Sequence, residues 1–203
     1  NGGDDNDTIQ GDAGADTITT GNGADTVVLT TTGTDTVSDF TAGAGGDQFE
    51  MDLSGLEAVA GVDTDEVTDF TELNDGTSVA DTDAISIQEI AIAAGATVVA
   101  ANVNVIVIIG TVATTGALET LLEAGGGAPL TIHADGGDIT SSFPVVYSDG
   151  TNAFLAVCFA ETETLSDTDF EATDLTCVNL AQQSGNAAIT AGEFVAANFD
   201  FVP

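Results

Sequence analysis

The stretch GGDDNDTIQ-GDAGADTIT-TGNGADTVV, from Gly2 to Val28, contains three copies of one nine-residue phrase, and TTTGTDTVS (Thr30–Ser38) is a fourth. In each copy an Asp and a Thr are followed by Ile or Val, and glycines recur a few positions upstream. A register kept over four copies is typical of a repeat fold, in which each copy builds one short strand and one turn. The repeated Asp residues are Asp7, Asp16, Asp25 and, after a one-residue slip at Leu29, Asp35.

The residue types of the phrase suit stacked turns that bind a cation. Glycine allows φ > 0 and lets two backbone loops approach closely. Asp supplies hard carboxylate oxygens, which calcium prefers, and loop carbonyls can complete a shell of about six to eight oxygens. Gly/Asp/Asn/Thr-rich sequence is also typical of flexible linkers, but a linker has no reason to keep Asp-Thr-Ile/Val in register. The phrase therefore predicts calcium binding.

The phrase closely resembles the RTX calcium-binding nonapeptide, G-G-x-G-x-D-x-U-x, in which U is a large apolar residue. The resemblance implies a parallel β-roll with two nonapeptides per turn and with calcium between Asp-bearing loops on the same edge. It places Asp7 on one edge with Asp25, and Asp16 on the other edge with Asp35. DFTAGAGGDQFEMDLS (Asp39–Ser54) resembles the family's closing segment, D-F-x-x-G-x-D-x-I-D-L-S. The implied ligand positions are Gly3, Asp5, Asp7, Asp12, Gly14, Asp16, Gly23, Asp25, Gly33, Asp35, Asp39 and Asp47.

The copies depart from the family pattern in several places. Asp5 stands in place of a loop glycine, as do Thr20 and Thr30-Thr31, and the closing segment carries an extra Ala-Gly. We expect these sites to be weaker or differently shaped. Four copies make only about two turns, and repeat folds generally need more neighbours to be stable. Because the chain begins inside the array without an initiator Met, we expect further repeats upstream of Asn1.

The charge of the chain has one sign. It contains 34 Asp plus Glu, one His and no Lys or Arg, so the formal net charge is −34. Self-repulsion of this kind destabilises a compact state unless cations intervene, so calcium is predicted to be required for folding. Nucleic acid is excluded as a partner because phosphate binding relies on Lys and Arg, and an anionic membrane surface is disfavoured for the same reason. No stretch reaches the ~18 apolar residues that a membrane-spanning helix needs, so no membrane insertion is expected.

The rest of the chain has the composition of a folded domain. Hydrophobic residues make up 43%, unlike the signature of disordered acidic segments. We predict a mainly β protein: a short N-terminal parallel β-roll with its closing segment over 1–54, an acidic connecting segment over 55–83, and a strand-dominated α+β or β-sandwich-like domain over 84–203. In the connecting segment, Asp63/Asp65 and Asp81/Asp83 are spaced to hold a cation or to be solvated carboxylates of turns.

Within 84–203 the β-branched run Val103–Ile109 predicts a buried strand. A short helix with Thr115 as N-cap follows and stops at Gly125-Gly126-Gly127. Ser148-Asp149-Gly150-Thr151 is typical of a hairpin turn, and Thr190–Glu193 has capping-box spacing for a second short helix. Further strands are predicted over Leu130–Ala134, Phe143–Ser148, Ala153–Phe159 and Asp174–Leu180.

This second unit resembles the C-terminal modules of large secreted RTX proteins of bacteria. The residues that carry the resemblance are VIVIIGTVATTGALETLLEAGG, FPVVYSDGTNAFLAV and ITAGEFVAANFDFV. Such C-termini hold the uncleaved signal for type I secretion, which implies an extracellular or cell-surface location. Cytosolic calcium is too scarce to fill the sites, so the chain would stay unfolded for export and fold outside.

Candidate chemistry beyond calcium is sparse. His133 has no second His and no Cys near it in sequence, and it is interpreted as a surface or partly packed residue. Cys158 and Cys177 lie on neighbouring predicted strands, where they are either a disulfide or two reduced core thiols. No nucleophile motif such as G-x-S-x-G is present, so no enzymatic activity is expected.

Three hypotheses for function remain. The first is a calcium-stabilised structural protein of the cell exterior that self-associates into a surface layer, filament or matrix. The second is a C-terminal calcium-dependent folding and secretion module of a larger secreted adhesin or hydrolase. The third is a small enzyme or carbohydrate binder. Calcium-dependent polymerisation discriminates the first from the second, which should fold with calcium and stay monomeric.

Overall fold

The structure, a computed structural model, describes residues 1–29, 33–52, 85–92, 95, 97–98, 103–123, 126–131, 142–160 and 175–202. Strands dominate these residues, which confirms the mainly β prediction. The strands of the N-terminal part are β1 (Gly3–Asp4), β2 (Thr8–Gln10), β3 (Thr17–Ile18), β4 (Gly21–Asn22), β5 (Thr26–Leu29), β6 (Asp35–Val37) and β7 (Gln48–Asp52). Those that follow are β8 (Ile87–Ala91), β9 (Thr97–Val98), β10 (Val105–Ile109), β11 (Leu130–Thr131), β12 (Ser142–Ser148), β13 (Ala153–Ala160), β14 (Leu175–Gln183) and β15 (Phe199–Val202). Helix α1 spans Thr115–Leu122, and a 3₁₀ helix spans Ala196–Asn198.

The strands of successive repeats alternate between two parallel sheets, as a β-roll requires. β2, β5 and β7 lie side by side in one sheet, with Ile9 opposite Val27 and Val27 opposite Phe49. β3 and β6 pair in the other sheet, where Ile18 lies opposite Val37. The apolar residue two places after each Asp points into the space between the sheets, so the repeat spacing sets the register.

Strands from the far end of the chain continue both sheets of the roll. β15 pairs in parallel with β7, and β14 pairs in parallel with β6, where Ala181 lies opposite Asp35. The strand orders are β15-β7-β5-β2 and β3-β6-β14-β13-β12-β10-β8. The roll and the C-terminal strands therefore share their sheets. The boundaries 1–54, 55–83 and 84–203 stay predictions, and 55–83, with the Asp pairs named above, lies outside the described residues.

One hydrophobic core is common to the roll and the C-terminal strands. It joins Val27, Val37 and Met51 of the roll to Val105 and Phe201, among others. A second core, on the other face of the long sheet, includes residues of α1. β10 contributes to both cores in alternation, Val105 and Val107 to the first and Ile106 and Ile108 to the second. This confirms the run as a strand buried on both faces, as parallel strands commonly are.

Two local predictions in the C-terminal part were wrong in detail. The N-cap of α1 is Thr114, whose side chain accepts the N–H of Ala117 at 3.1 Å, because Thr115 already has helical geometry. No helix forms at Thr190–Glu193, although the Glu193 carboxylate accepts both the N–H and the hydroxyl of Thr190 as a capping residue would. Gly192 there has φ = +76°, which breaks a right-handed helix. The 3₁₀ helix at Ala196–Asn198 follows instead.

The predicted hairpin and the cysteine pair both lie in the long sheet. β12 and β13 are antiparallel, and Asp149 caps their turn by accepting the N–H groups of Thr151 and Asn152 at 2.7 and 2.8 Å. Cys158 and Cys177 are cross-strand neighbours on β13 and β14, 4.0 Å apart at Cα, and they form a disulfide. Both are buried. His133 lies outside the described residues.

Candidate metal centre

The repeated Asp residues form a ladder along the roll, which we call the carboxylate ladder: Asp7, Asp25 and Asp47 on one edge and Asp16 and Asp35 on the other. Asp7, Asp25 and Asp47 each directly precede a strand of the same sheet. The N–H of Asp7 donates to Oδ1 of Asp25 at 2.8 Å, and the N–H of Asp25 donates to Oδ1 of Asp47 at 3.0 Å. On the other edge the N–H of Asp16 donates to Oδ1 of Asp35 at 2.9 Å. The structure thus brings together the two pairs that the resemblance placed on common edges.

Glycines let successive turns of the roll stack at backbone distance. Gly21 has φ = +104°, and a Cβ on it would lie 2.1 Å from the carbonyl oxygen of Gly3. A Cβ on Gly33 would likewise lie 2.1 Å from the carbonyl oxygen of Gly14. Real Cβ atoms do not approach that closely, so these positions need glycine for successive turns to stack.

Three ladder carboxylates each keep one buried oxygen without a hydrogen-bond partner. These atoms are Oδ2 of Asp7, Asp16 and Asp25. A buried polar atom that is left unpaired is costly, and an anionic one more so. An unpartnered carboxylate oxygen in this setting is what a bound cation would satisfy.

The space beside two of these oxygens, those of Asp7 and Asp16, is kept clear by glycine. A Cβ on Gly2 would lie 2.8 Å from Oδ2 of Asp7 and 2.3 Å from the carbonyl oxygen of Thr20. A Cβ on Gly11 would lie 3.0 Å from Oδ2 of Asp16. Among the described residues, no three His, Cys, Asp or Glu side chains group together as a metal site. The carbonyl oxygen of Thr20 and Oδ2 of Asp7 both lie beside Gly2, so a cation there would meet a backbone carbonyl as well as a carboxylate, a donor set that calcium accepts.

Burial makes the ionised form of Asp35 unfavourable. Asp35 is only 6% exposed, and this burial is the main reason that its pKa is raised. The hydrogen bond from the N–H of Asp16 opposes the shift of this pKa, and the negative charge of Asp16 adds to it. A bound cation would remove this penalty by pairing with the two carboxylates.

The two Asp residues of the closing segment have different surroundings from Asp7, Asp16 and Asp25. Asp39 accepts the N–H groups of Thr20 at 2.8 Å and of Gly21 at 3.0 Å. Burial acts to raise the pKa of Asp39, but these hydrogen bonds, with one from the Thr20 hydroxyl, outweigh it and lower the pKa. The second oxygen of Asp47 accepts the N–H of Thr41 at 2.8 Å and the Thr20 hydroxyl at 3.2 Å. Neither residue has an unpartnered buried oxygen.

The remaining predicted ligand positions lie in the loops of the repeats. Asp5 and Asp12 have exposed side chains and left-handed backbone, with φ of 75° and 60°. Gly3 and Gly14 have φ of +107° and +117°. Gly23 packs against the carbonyl oxygen of Asp5, which a Cβ would approach to 2.3 Å. Whether any of these loop residues ligates calcium stays a prediction.

Two residues that contact the ladder were missed by sequence reasoning. Thr20 was interpreted only as a lost glycine, although its hydroxyl reaches both Asp39 and Asp47. Asn198 is fully buried, and its side-chain amide donates to the carbonyl oxygen of Asp47 at 2.7 Å. No local pattern marks Asn198, because the contact joins residues 151 positions apart.

Comparison with known proteins identifies the repeats that carry the first four Asp residues of the carboxylate ladder. Residues 1–37 match the family described as the RTX calcium-binding nonapeptide repeat, in four copies. No curated protein and no solved structure matches the chain. The N-terminal part thus consists of RTX repeats, which bind calcium and occur in secreted proteins. In the part of the chain that the structure describes, no helix is long and apolar enough to cross a membrane.

Proposed function

We propose that this protein is a calcium-stabilised extracellular structural protein, a subunit of a surface layer, filament or matrix that is exported by type I secretion. The observation that carries the calcium part is the set of unpartnered Oδ2 atoms of Asp7, Asp16 and Asp25 in a chain without Lys or Arg. Asp35, paired with Asp16, would complete the site on its edge of the roll. Bound calcium would supply positive charge where the chain has none.

Calcium bound at the ladder would stabilise the whole described fold. β6 and β7, which carry or follow ladder residues, pair with β14 and β15 and share one core with them. Binding free energy at the roll is therefore folding free energy for the C-terminal strands as well. The net charge of −34 also supports a structural role. Divalent cations bound between neighbouring copies of the chain would turn the electrostatic repulsion between those copies into attraction. We assign the protein no enzymatic activity.

A second candidate is a C-terminal folding and secretion module of a larger secreted adhesin or hydrolase. It is favoured by the pairing of the last strand, β15, with the closing segment of the roll. That pairing couples a C-terminal element to the strand β7, which in turn pairs with β5 of the repeats, as a module that folds only outside the cell would need.

Particle size in solution separates the two candidates. Light scattering and electron microscopy are done on the full chain in millimolar calcium and again after chelation. Filaments or sheets that dissolve on chelation support the structural subunit. A monomer that only compacts with calcium refutes self-association and supports the secretion module.

Substitutions test the calcium sites themselves. Asp16→Ala and Asp25→Ala are expected to weaken calcium binding by at least about 10-fold, because each removes a ladder carboxylate. Asp149→Ala is the matched control, since it also removes one carboxylate, but from the β12–β13 turn outside the repeats, where it accepts only turn N–H groups. It should leave the calcium affinity unchanged and lower the melting temperature in calcium only slightly. Equal losses of calcium affinity in all three variants would show that bulk charge, not ligation, governs binding.

A further inference from the structure

We propose that the calcium ligands of the roll are confined to the repeats and do not include Asp39 and Asp47 of the closing segment. These two residues instead position the turn between them, which we call the closing turn and which needs no metal. The inference rests on the proposed calcium binding and narrows it to the repeats. It departs from the family resemblance, which makes both residues ligands.

The first argument is the hydrogen bonding of the two carboxylates. The four oxygens of Asp39 and Asp47 each accept a backbone N–H, from Thr20, Gly21, Asp25 and Thr41. The donor–acceptor distances are 2.8 to 3.0 Å. Asp25 also accepts a backbone N–H at Oδ1, but its Oδ2 has no donor. Hydrogen bonds from N–H groups to an ionised acceptor are strong, so the closing carboxylates are already compensated.

The second argument is the replacement of a repeat glycine by Thr20. The first position of the phrase is Gly2 in the first copy and Gly11 in the second, where the absence of a Cβ leaves room beside an unpartnered oxygen. In the third copy this position is Thr20, which is fully buried. Its hydroxyl lies 3.0 Å from Oδ1 of Asp39 and 3.2 Å from Oδ2 of Asp47. The single hydroxyl proton of Thr20 can be donated to either carboxylate, so in this copy a neutral donor lies between Asp39 and Asp47.

The closing turn also contacts the C-terminal residues of the described fold. The backbone carbonyl of Asp47 accepts from Asn198, and β7, which begins directly after Asp47, pairs with β15. The contacts that join the C-terminal strand to this turn are therefore hydrogen bonds within the protein and include no metal ligand.

Calorimetric titration of the full chain with calcium tests the inference through the number of ions bound. Asp25→Asn is expected to bind at least one ion fewer than wild type. Asp39→Asn and Asp47→Asn are expected to bind the wild-type number and to have lower melting temperatures in calcium. A folded Asp39→Asn or Asp47→Asn chain that binds fewer ions overturns the inference.

Thr20→Val and Thr20→Ser decide the question if the Asp variants fail to fold. The Val variant removes the bridging hydroxyl at nearly constant volume, and the Ser variant keeps it. We expect Thr20→Val to lower the melting temperature without changing the number or affinity of bound ions, and Thr20→Ser to restore the melting temperature. A loss of calcium affinity in Thr20→Val that Thr20→Ser restores would mean that the cluster ligates calcium. If wild type binds no calcium, the proposed function fails, whereas ion loss confined to these variants refutes only the closing-turn inference.

Discussion

Replacing Asn198 should destabilise the fold more than any other single change of a polar side chain discussed above. Its Oδ1 accepts the N–H groups of Gly43 at 3.0 Å and Val195 at 2.9 Å. Its Nδ2 donates to the carbonyl oxygens of Gly43 at 3.2 Å and Asp47 at 2.7 Å. The side chain is fully buried and joins the closing turn to the residues that lead into β15.

The magnitude follows from these four bonds. Each net hydrogen bond contributes about 1 kcal/mol, and a buried partner left unpaired costs about 1 to 3 kcal/mol. Asn198→Ala is therefore expected to lower the free energy of unfolding by about 3 to 5 kcal/mol, a large part of the roughly 5 to 15 kcal/mol of a typical domain. Asn198→Asp should cost more at neutral pH, because an anion would then face two carbonyl oxygens. Since burial raises the folded-state pKa of such a group, the Asp variant should regain stability as the pH falls toward the unfolded value of about 4.

Urea denaturation at fixed calcium concentration, followed by circular dichroism, measures this loss. Asn22→Ala is the matched control, because Asn22 is exposed and its amide makes one hydrogen bond, to Asp4 at 2.9 Å. The control should change the free energy of unfolding by less than about 0.5 kcal/mol. A loss below about 1 kcal/mol in Asn198→Ala would refute the claim that this amide holds the C-terminal strand to the roll.

Two further predictions concern the roll stack and the long sheet. Gly3→Ala should lower the free energy of unfolding by about 1 kcal/mol because of its positive φ alone. Gly21→Ala should lower it by about 1 to 3 kcal/mol more, because the new Cβ would lie 2.1 Å from the Gly3 carbonyl oxygen. Equal losses of stability for the two variants in thermal denaturation would contradict the stacking. Tyr147, the single tyrosine, has a pKa raised above 10.0 by burial and by the charges of Asp149 and Glu119. The stability that the protonated form of Tyr147 contributes is present below its unfolded-state pKa and is lost as the pH rises through its folded-state pKa, so tyrosinate absorbance of the folded chain should rise at a higher pH than that of the chain unfolded in urea. Titration of Tyr147 at its ordinary value in the folded chain would contradict the burial.

The roll could be predicted from the sequence because its signals are local. Each copy carries its own turn glycine, ladder Asp and inward apolar residue within nine positions. The pairs Asp7/Asp25 and Asp16/Asp35 follow from that period once two copies make a turn. The hairpin at Asp149 and the strand in Val103–Ile109 were predictable for the same reason. The turn is indicated by adjacent Asp and Gly, and burial on both faces is indicated by a continuous run of β-branched residues.

The attachment of the C-terminal strands could not be predicted, because it depends on contacts between distant residues. Nothing near Ala181 indicates that it lies opposite Asp35 in a parallel pair, 146 positions away. The distinct role of Asp39 and Asp47 was hidden for a related reason. Their donors include the N–H of Thr20, and a backbone N–H has no sequence signature; only the fold brings it to the carboxylate.

The absence of Lys and Arg links these observations. Apart from the single His and the N-terminal amine, the chain can compensate a carboxylate only with N–H groups, hydroxyls, amides or a cation from outside. Glu119 of α1 and Glu123 at its C-cap use the first route, because they accept the N–H groups of Cys177 and Leu175 on β14. Among the described residues, the buried carboxylate oxygens that no such donor reaches are Oδ2 of Asp7, Asp16 and Asp25. All three lie in the repeats, so among the described residues the carboxylate oxygens that a cation would have to satisfy are confined to the roll.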